Sequence, residues 1–560
     1  MSNNTNQFDA IVVGSGMSGG WAAKELTQLG LKTLVLERGR NVEHIKDYAT
    51  ANLHPWEIPH ANLPTEKDLE EYPVQSKTYH FGQDNKHFFV KDTDHIYNQP
   101  KPFQWNRGYH VGGRSLLWSR HTFRWSAMDF EANAKEGIGI DWPIRYNDIA
   151  PWYDYVESFI GVAGKTEGLP QLPDGKFIPA FPMTCLEAHL KKSIESKWND
   201  RKLIESRMAV LSQPHNGRGS CQNRNLCHRG CPYGAYFSSN SSTLPAAYAT
   251  GKLTLRPHSV VHSIIWDDNK NKATGVRVID AESFKTYDFF APVIFLNASA
   301  LASTQIMLQS TSSRFTNGFA NDSGLLGHYL MDHYSGMGGY GVFDLMKDKY
   351  YRGHRSTSVY IPRFRNVQTK EKNFIRGYAF EVYVRRAEWT RGFRNAGIGD
   401  EWKDELADPG DWSIYMEGYA ECLPEFKNRV WLDKEKKDKW GLPVLNIEME
   451  YGPNEIAMRQ DIIDTAKEMI QSAGPVSVSG VDNPSIPGSV IHEMGTARMG
   501  HDPKTSILNK WNQCHHAPNV FITDGACMTS TACQNPSLTY MALTARACHY
   551  AVEQLKKGSL

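Results

Sequence analysis

A strand–turn–helix–strand pattern in residues 9–37 constrains the fold of this chain more than any other feature. Residues 10–13 (AIVV) form a continuous apolar run, which is typical of a strand buried on both faces of a parallel sheet. Residues 14–19 read GSGMSG, and the helix pattern that follows ends at Gly30. Residues 33–36 (TLVL) then predict a second strand. The pattern predicts a Rossmann-type α/β unit.

The glycines of this unit are typical of a dinucleotide site. Gly14 permits the tight turn, Gly16 lets a pyrophosphate approach the backbone, and Gly19 lets the helix pack closely on the strand. The N-terminus of the helix stabilises the phosphate charge. Glu37 follows the second strand, where its carboxylate can accept both ribose hydroxyls, and this argues against a 2′-phosphate.

The C-terminal part of the chain distinguishes FAD from NAD. Residues 519–526 (NVFITDGA) predict a strand that ends in Asp524 and Gly525. In flavoproteins with this fold, such a segment returns to the sheet and places Asp-Gly beside the ribityl and phosphate groups of the flavin. An NAD enzyme has no need of this return. We therefore predict FAD as the cofactor.

Length and charge limit the remaining classes. A chain of 560 residues is too long for one simple core, so two domains or one large interleaved unit are expected. Its 62 Lys+Arg against 61 Asp+Glu give a formal net charge of +1, which predicts no nucleic-acid partner. The sequence lacks a run of about 18 apolar residues, so no membrane span is predicted. It begins without a signal-peptide pattern, so no signal peptide is predicted.

The middle of the chain predicts a second sheet. Residues 335–450 contain many alternating aromatic segments, for example 413–419 (SIYMEGY), and this alternation is typical of antiparallel strands. The sequence patterns therefore predict an α/β fold class, with a Rossmann-type FAD-binding domain and an α+β part built on an antiparallel sheet.

Four further segments carry a resemblance to a known family. Residues 112–115 read GGRS, residues 298–310 read ASALASTQIMLQS, residues 492–500 read HEMGTARMG, and residues 535–539 read NPSLT. Together with the nucleotide site, they resemble the glucose–methanol–choline (GMC) oxidoreductases over nearly the whole chain. The second segment departs from the family pattern, since it lacks the usual glycine at its start and the usual proline near its middle.

The resemblance implies which residues hold the flavin. It also implies the GMC fold, in which a Rossmann-type FAD-binding domain is interleaved with an α+β substrate domain built on an antiparallel sheet. Added to the nucleotide-binding residues above, the implied FAD contacts are Gly112, Gly113, Ser115, Val261, Asp524 and Gly525. The implied segments are an FAD-binding first segment (1–50), an FAD-binding loop (95–125), a substrate-side excursion (126–205), an iron–sulfur and FAD-binding segment (206–335), a substrate domain (336–480) and a closing FAD-binding segment with the catalytic residues (485–560).

The same resemblance implies the catalytic pair His492 and Asn535. Oxidation of an alcohol removes a hydride from carbon and a proton from oxygen, and the proton needs an acceptor whose pKa lies near neutrality. Histidine meets this requirement, and an asparagine amide can orient the hydroxyl. A zinc HExxH site is excluded because position 496 is Thr, and His501 is the next candidate for the base.

Three of the nine cysteines, Cys221, Cys227 and Cys231, lie in one short segment with the spacing C-x5-C-x3-C. The spacing leaves three interpretations open: zinc with His228 or His215 as fourth ligand, an iron–sulfur cluster, or chance. With three cysteines, the cluster would be 3Fe-4S, or 4Fe-4S with one non-cysteine ligand. Cluster-bearing sugar dehydrogenases of the GMC family have a similar segment. That likeness implies a 3Fe-4S cluster and a dehydrogenase rather than an oxidase.

The predicted function is therefore oxidation of a secondary hydroxyl of a sugar or glycoside, at carbon 3, with electrons passing through the cluster to an external acceptor. The alternatives are oxidation at carbon 1, a gluconate 2-dehydrogenase large subunit, an oxygen-using oxidase and a non-catalytic electron carrier. Candidate walls of the sugar pocket are Trp118, Trp125, Tyr415 and Tyr419. The resemblance also implies a small subunit and a cytochrome c or other acceptor, and it leaves the compartment open between cytoplasm and, by co-export with the partner, periplasm.

Overall fold

The structure is a computed structural model that describes residues 6–350, 358–371, 373–387, 391–392 and 397–560. Parts of the predicted segments 1–50 and 336–480 lie outside these residues. Within the described residues, no helix is both long and apolar enough to cross a membrane.

A six-stranded sheet forms the centre of the FAD-binding region. Its strands, in spatial order, are β18 (Gln513–Cys514), β19 (Ala517–Ile522), β10 (Val293–Leu296), β1 (Ala10–Val13), β2 (Thr33–Leu36) and β6 (Leu253–Arg256). All neighbours are parallel except the first pair. Each of β1, β2 and β10 has four residues, and all of them are buried, as expected for strands covered on both faces. The predicted first strand, second strand and returning C-terminal strand are thus neighbours or near neighbours in one sheet.

Helix α1 (Met17–Gln28) connects the first two strands and packs on one side of this sheet against α6 (Thr243–Tyr248) and α10 (Ser537–Lys556). The helix ends where predicted, because Gly30 has a φ of +102° that L residues rarely adopt. Helix α4 (Tyr146–Ile160) covers α10 in turn. The closing segment of the chain is therefore built into the first α/β unit.

A second six-stranded sheet, antiparallel throughout, forms the substrate side. Its strands, in spatial order, are β17 (Ser477–Asp482), β11 (Tyr334–Phe343), β14 (Trp412–Ala420), β13 (Tyr378–Arg386), β12 (Val359–Ile361) and β5 (Ile204–Glu205). Along β14, fully buried residues alternate with partly buried ones, so each strand face has one environment. The antiparallel sheet predicted from aromatic alternation is present.

Helix α9 (Pro453–Gln471) covers one face of the antiparallel sheet. Glycines in the sheet permit this close packing: a Cβ at Gly418 would lie 2.4 Å from Ile462 Cγ2, and one at Gly341 would lie 2.4 Å from Ile470 Cγ2. Since α9 occupies this face, the opposite face, with Glu381, Tyr415, Glu417 and Tyr419, is free to line a cavity.

Smaller elements complete the fold. The remaining strands are β3 (Val162–Gly164), β4 (Phe177–Pro179), β7 (Ser259–Asp267), β8 (Lys272–Asp280), β9 (Thr286–Phe290), β15 (Arg429–Lys437) and β16 (Pro443–Glu448). The remaining helices are α2 (Glu66–Glu71), α3 (Ala127–Glu136), α5 (Cys185–Lys197), α7 (Ala300–Gln309) and α8 (Asp400–Ala407). Strands β7, β8 and β9 form a three-stranded antiparallel sheet beside the parallel one.

Candidate active site

One cavity of about 2080 Å³ extends from the glycine turn after β1 to the exposed face of the antiparallel sheet. Predicted site residues from both ends of the sequence meet there. The cavity is lined by Gly14, Gly16, Glu37, Gly113, Ser115, Val261, His492, Asp524, Gly525 and Asn535. The cavity therefore joins a nucleotide-binding edge to the predicted catalytic pair.

The three motif glycines have different surroundings. Gly14 has a φ of +93°, and a Cβ there would lie 2.4 Å from the Asn297 carbonyl oxygen. A Cβ at Gly19 would lie 2.0 Å from the Gly14 carbonyl oxygen, so this residue lets α1 pack on the turn. Gly16 differs, because a Cβ there would have no neighbour closer than 3.9 Å. The open space over Gly16, at the N-terminus of α1, fits an approaching pyrophosphate.

Glu37 lies at the end of β2 and is buried. Its Oε2 accepts a hydrogen bond of 2.6 Å from Ser15 Oγ, and its Oε1 accepts one of 3.0 Å from the Gly39 backbone N–H. Burial raises the pKa of the Glu37 carboxyl, against the opposing effect of the Ser15 hydroxyl. The carboxyl retains free lone pairs that can accept from ribose hydroxyls.

The loop of residues 112–115 lies over the glycine turn. Gly112 has a φ of +89° and packs against Asn240, where a Cβ would lie 1.7 Å from Oδ1. Ser115 Oγ donates to the Gly112 carbonyl and accepts from the Ser239 backbone N–H. Arg114 forms two hydrogen bonds, of 3.1 and 2.8 Å, with the carboxylate of Glu493. This bidentate pair joins the loop to the segment that carries His492.

The returning strand β19 places Asp524 and Gly525 at the opposite wall of the nucleotide region. Asp524 accepts a hydrogen bond of 2.5 Å from Ser303 Oγ at the start of α7. Burial raises the pKa of Asp524 to about 6. Nearby, Asn297 Nδ2 and Tyr540 Oη are buried without a hydrogen-bond partner among the described residues. Buried polar atoms of this kind are normally satisfied by a ligand or water, so the site fits FAD.

His492 lies at the junction between the two sheets and faces the cavity. Its Nδ1 lies 2.8 Å from Nδ1 of His333, a fully buried residue at the start of β11. Burial, followed by the neighbouring His333 and Arg114, lowers the pKa of His492 well below its ordinary value. The side chain is therefore neutral at pH 7, the state in which a ring nitrogen can accept a proton, but it is a weaker base than the near-neutral acceptor expected from the sequence.

Asn535 is buried beside the same junction, in the turn before α10. Its Nδ2 donates to Glu381 Oε1 over 3.2 Å. The same oxygen lies 3.1 Å from His121 Nδ1, and Tyr383 Oη donates to Glu381 Oε2 over 2.5 Å. Burial raises the pKa of Glu381, but His121, Tyr383 and Asn535 outweigh it, so the pKa lies below its ordinary value. An ionised Glu381 thus orients the amide of Asn535.

A second carboxyl lies directly across the sheet. Glu417 on β14 is the register partner of Glu381 on β13, so the two side chains point to the same face. Glu417 Oε1 accepts from Ser335 Oγ over 2.8 Å, and Oε2 accepts from Tyr419 Oη over 3.4 Å. Burial, with the negative charge of Glu381, raises the pKa of Glu417 to about 7.

Of the four aromatic residues predicted to form the walls of the sugar pocket, three line the cavity and one does not. Tyr415, Tyr419 and Trp118 line the cavity. The prediction for Trp125 was wrong, because it is fully buried and packs edge-on against Trp142 in the core. Aromatic character in the sequence does not distinguish a cavity wall from a core position. The fallback base His501 lies outside the cavity, with 64% of its side chain exposed.

Cys221, Cys227 and Cys231 lie in one loop and are partly buried. Burial raises the pKa of the Cys221 thiol, against the opposing effect of the Asn223 backbone N–H. Within the described part of the chain, however, no group of three or more His, Cys, Asp or Glu side chains is arranged to hold a metal ion. Asn225, Leu226 and His228, from the same loop, line the cavity.

Several residues of the site were missed from the sequence. Glu417 had a signal, because it lies between the nominated Tyr415 and Tyr419 at the two-residue period of a strand. Glu381 occurs in a similar alternating segment. His333 had none, since it is separated from His492 by 159 positions and no local pattern joins them.

Comparisons with known proteins agree with this geometry. Two family models described as GMC oxidoreductase match residues 8–335 and 424–544. The chain belongs to the GMC oxidoreductase family. It is therefore a flavin-dependent oxidoreductase of CH–OH groups, and the predicted family, fold class and enzyme class are confirmed.

Similar proteins include a 2-methyl-1,2-propanediol dehydrogenase from Mycolicibacterium austroafricanum, which is 29% identical over 98% of this chain and 96% of its own. The fructose dehydrogenase large subunit from Gluconobacter japonicus is 25% identical, over the full length of both chains. Among solved structures, pyridoxine 4-oxidase from Mesorbium loti matches with a TM-score of 0.60 at 14% identity, covering 97% of this chain and 98% of its own. That structural likeness concerns the fold alone.

Proposed function

We propose that this protein is an FAD-dependent dehydrogenase that oxidises a secondary hydroxyl of a sugar or glycoside, at carbon 3. The observation that carries the proposal is the wall that the antiparallel sheet contributes to the cavity of His492. It presents carboxyl groups of Glu381 and Glu417 and hydroxyl groups of Tyr383 and Tyr419 to one cavity. These carboxyl and hydroxyl oxygens keep lone pairs beyond the hydrogen bonds that they make with one another, with Asn535 and with Ser335, so a ligand with several hydroxyl groups can donate to the wall at several points, whereas a simple apolar alcohol cannot.

His492 acts as the base in this proposal. Its neutral state at pH 7 suits acceptance of the hydroxyl proton, and Asn535 orients the same oxygen through its amide. FAD held by the glycine turn, Glu37 and Asp524 supplies the hydride acceptor when bound. Because burial removes water from His492, the developing charge on the substrate oxygen is felt more strongly than in solution.

Carbon 3 is the finer part of the proposal. The proposed catalytic pair contacts only one H–C–O–H unit of the substrate. The orientation of the sugar ring in the cavity therefore selects which carbon is oxidised. Tyr415 and Tyr419 offer aromatic faces to the C–H surface of a pyranose, and the carboxyls accept from hydroxyl groups on its rim. The resemblance to cluster-bearing GMC sugar dehydrogenases supports oxidation of the ring.

A methyl glucoside tests the proposal directly, because its anomeric hydroxyl is blocked. We expect reduction of an artificial electron acceptor, with a 3-keto glycoside identified as the product. Activity on free glucose alone, with a lactone as product, would contradict carbon 3. Activity only on a short diol, such as the substrate named for the 2-methyl-1,2-propanediol dehydrogenase relative, would contradict a sugar altogether. Rapid oxygen consumption without an acceptor would indicate an oxidase.

The proposal also includes a 3Fe-4S cluster on Cys221, Cys227 and Cys231 and an external electron acceptor. The spacing of the cysteines and the contact of their loop with the cavity support it. The absence of a metal-holding arrangement among the described residues argues against it. A partner subunit is proposed as well, because the fructose dehydrogenase relative is itself a large subunit.

A further inference from the structure

We propose that His333 is a positioning residue that fixes the tautomer of His492, so that the nitrogen facing the substrate carries no proton. The inference rests on the proposed role of His492 as the base. It adds a residue that is distant in sequence and does not itself touch the substrate cavity. Four groups carry the argument: the two imidazoles, the Ala532 carbonyl and the Asp332 carboxyl.

The direction of the hydrogen bonds follows from the Ala532 carbonyl oxygen. His333 Nε2 lies 2.9 Å from this oxygen, which can only accept, so Nε2 must carry the hydrogen. Burial lowers the pKa of His333, so the ring is neutral and its Nδ1 is a bare acceptor. His492 Nδ1, 2.8 Å away, must then be the donor. A neutral His492 with its hydrogen on Nδ1 leaves Nε2 free to accept a proton.

The pair is held in place by the backbone around it. Asp332 Oδ1 accepts from the backbone N–H of both His333 and His492, over 2.8 and 3.2 Å. Its Oδ2 accepts from the Gly488 N–H over 2.8 Å. Tyr451 Oη donates to the His333 carbonyl over 2.8 Å. One buried carboxyl thus joins the start of β11 to the loop that carries His492, and both rings have fixed positions.

Among the described residues, the hydrogen-bond partner of His492 Nδ1 is the His333 ring and not a carboxylate, and this distinguishes the pair from a histidine held by an anion. The charged and titratable groups that act on the two rings are Arg114, His121, Glu381 and Glu421. A neutral partner selects the tautomer without raising the pKa of the base as an anion would. When the substrate O–H bond breaks, its proton moves to His492 Nε2. The Nδ1–H remains directed at His333.

Two substitutions at position 333 form a matched test. In His333→Asn, the side-chain oxygen takes the place of Nδ1 and can still accept from His492, but the contact with Ala532 is lost. In His333→Gln, the amide nitrogen takes the place of Nε2 and can still donate to Ala532, but His492 loses its acceptor. The rate of flavin reduction is measured between pH 5 and 9 with a glycoside that the enzyme oxidises. The dissociation constant of this substrate and the FAD content of each variant are measured as well.

We expect His333→Asn to remain within about 5-fold of the wild type, with the same pH profile. We expect His333→Gln to be slowed about 10- to 100-fold, with an altered acid limb and little change in the dissociation constant, as for loss of a positioned acid–base group. Equal rates and profiles in the two variants would overturn the inference. So would loss of FAD from both, since that outcome indicates a structural role. If His492→Ala left flavin reduction unchanged, the proposed function itself would fail.

Discussion

At the scale of single residues, the site depends on groups whose protonation is set by burial and by neighbouring hydrogen-bond donors. His492 and His333 are kept neutral, Glu381 is kept ionised by its donors, and Glu417 changes its charge near neutral pH. Groups of the same type therefore perform different tasks within one cavity. Their environments, rather than their identities, assign proton acceptance to the histidine and hydrogen-bond acceptance to the carboxylates.

Replacement of the base is the first prediction at this scale. His492→Ala should slow flavin reduction by at least about 10²-fold, because a positioned proton acceptor acts mainly in the transition state. Substrate affinity should change less. Stopped-flow absorbance of the flavin measures both quantities. His501→Ala is the matched control, since this exposed side chain lies outside the cavity and its loss should leave both unchanged. A reduction rate close to wild type in His492→Ala would assign proton removal to another group.

The second prediction concerns Glu417. Its pKa of about 7 lies above the ordinary value of 4.5, so the carboxyl is neutral below pH 7 and ionised above it. An ionised carboxylate accepts hydrogen bonds from sugar hydroxyls more strongly. The dissociation constant of a glycoside should therefore fall about 3- to 10-fold as the pH rises from 6 to 8. In Glu417→Gln the constant should not vary over this range. The same pH dependence in the variant would assign the titration to a different group.

Whether each of these residues could be predicted depends on how far apart in the sequence its interaction partners lie. Gly14, Glu37 and His492 belong to local motifs whose physics is contained in a few neighbours. His333 and Glu381 do not, because their roles arise from contacts with His492 and Asn535 that are 159 and 154 positions away. Trp125 shows the opposite error: aromatic character alone did not separate a buried core position from the cavity wall.

At the scale of elements, the glycine turn between β1 and α1 has two separable tasks. Gly19 gives the helix room to pack on the turn, whereas Gly16 leaves space in front of the helix N-terminus. Strand alternation gives the antiparallel sheet its two faces in a similar way, one against α9 and one toward the cavity. These periodic features were predictable from the sequence. The register that places Glu381 opposite Glu417 was not, because it depends on long-range strand pairing.

The third prediction separates the two glycines. Gly16→Ala should fold normally, because the new Cβ has no neighbour within 3.9 Å, but its methyl group occupies the space for the pyrophosphate and FAD should be lost. Gly19→Ala should also destabilise the apoprotein, by about 1–3 kcal/mol, since its Cβ would lie 2.0 Å from the Gly14 carbonyl oxygen. FAD content by absorbance and thermal unfolding of the apoproteins measure the two effects. Equal unfolding temperatures for both apoproteins would contradict this division.

At the scale of the whole molecule, one cavity is enclosed by two sheets that come from interleaved parts of the chain. The parallel sheet contributes the cofactor edge, the antiparallel sheet contributes the substrate wall, and the loop with Cys221, Cys227 and Cys231 adjoins the same space through Asn225 and His228. The interleaving was predicted from family resemblance. Hydrophobic patterns alone define elements, not the order in which distant segments return to a sheet.

The last prediction concerns electron exit from this cavity. A protein with the proposed cluster should contain about three irons per chain and show broad absorption beneath the flavin bands. Cys227→Ser should leave FAD content and flavin reduction by substrate intact, because Cys227 does not line the cavity, but it should stop transfer to the external acceptor. Cys185→Ser is the matched control, since Cys185 is also a partly buried free thiol but lies at the start of α5. Stopped-flow reduction followed by reoxidation with the acceptor separates the two half-reactions. Zinc in place of iron would contradict the cluster, and unchanged reoxidation in Cys227→Ser would place the electron route elsewhere. Reoxidation by oxygen at the same rate in wild type and variant would identify the flavin itself as the point of exit.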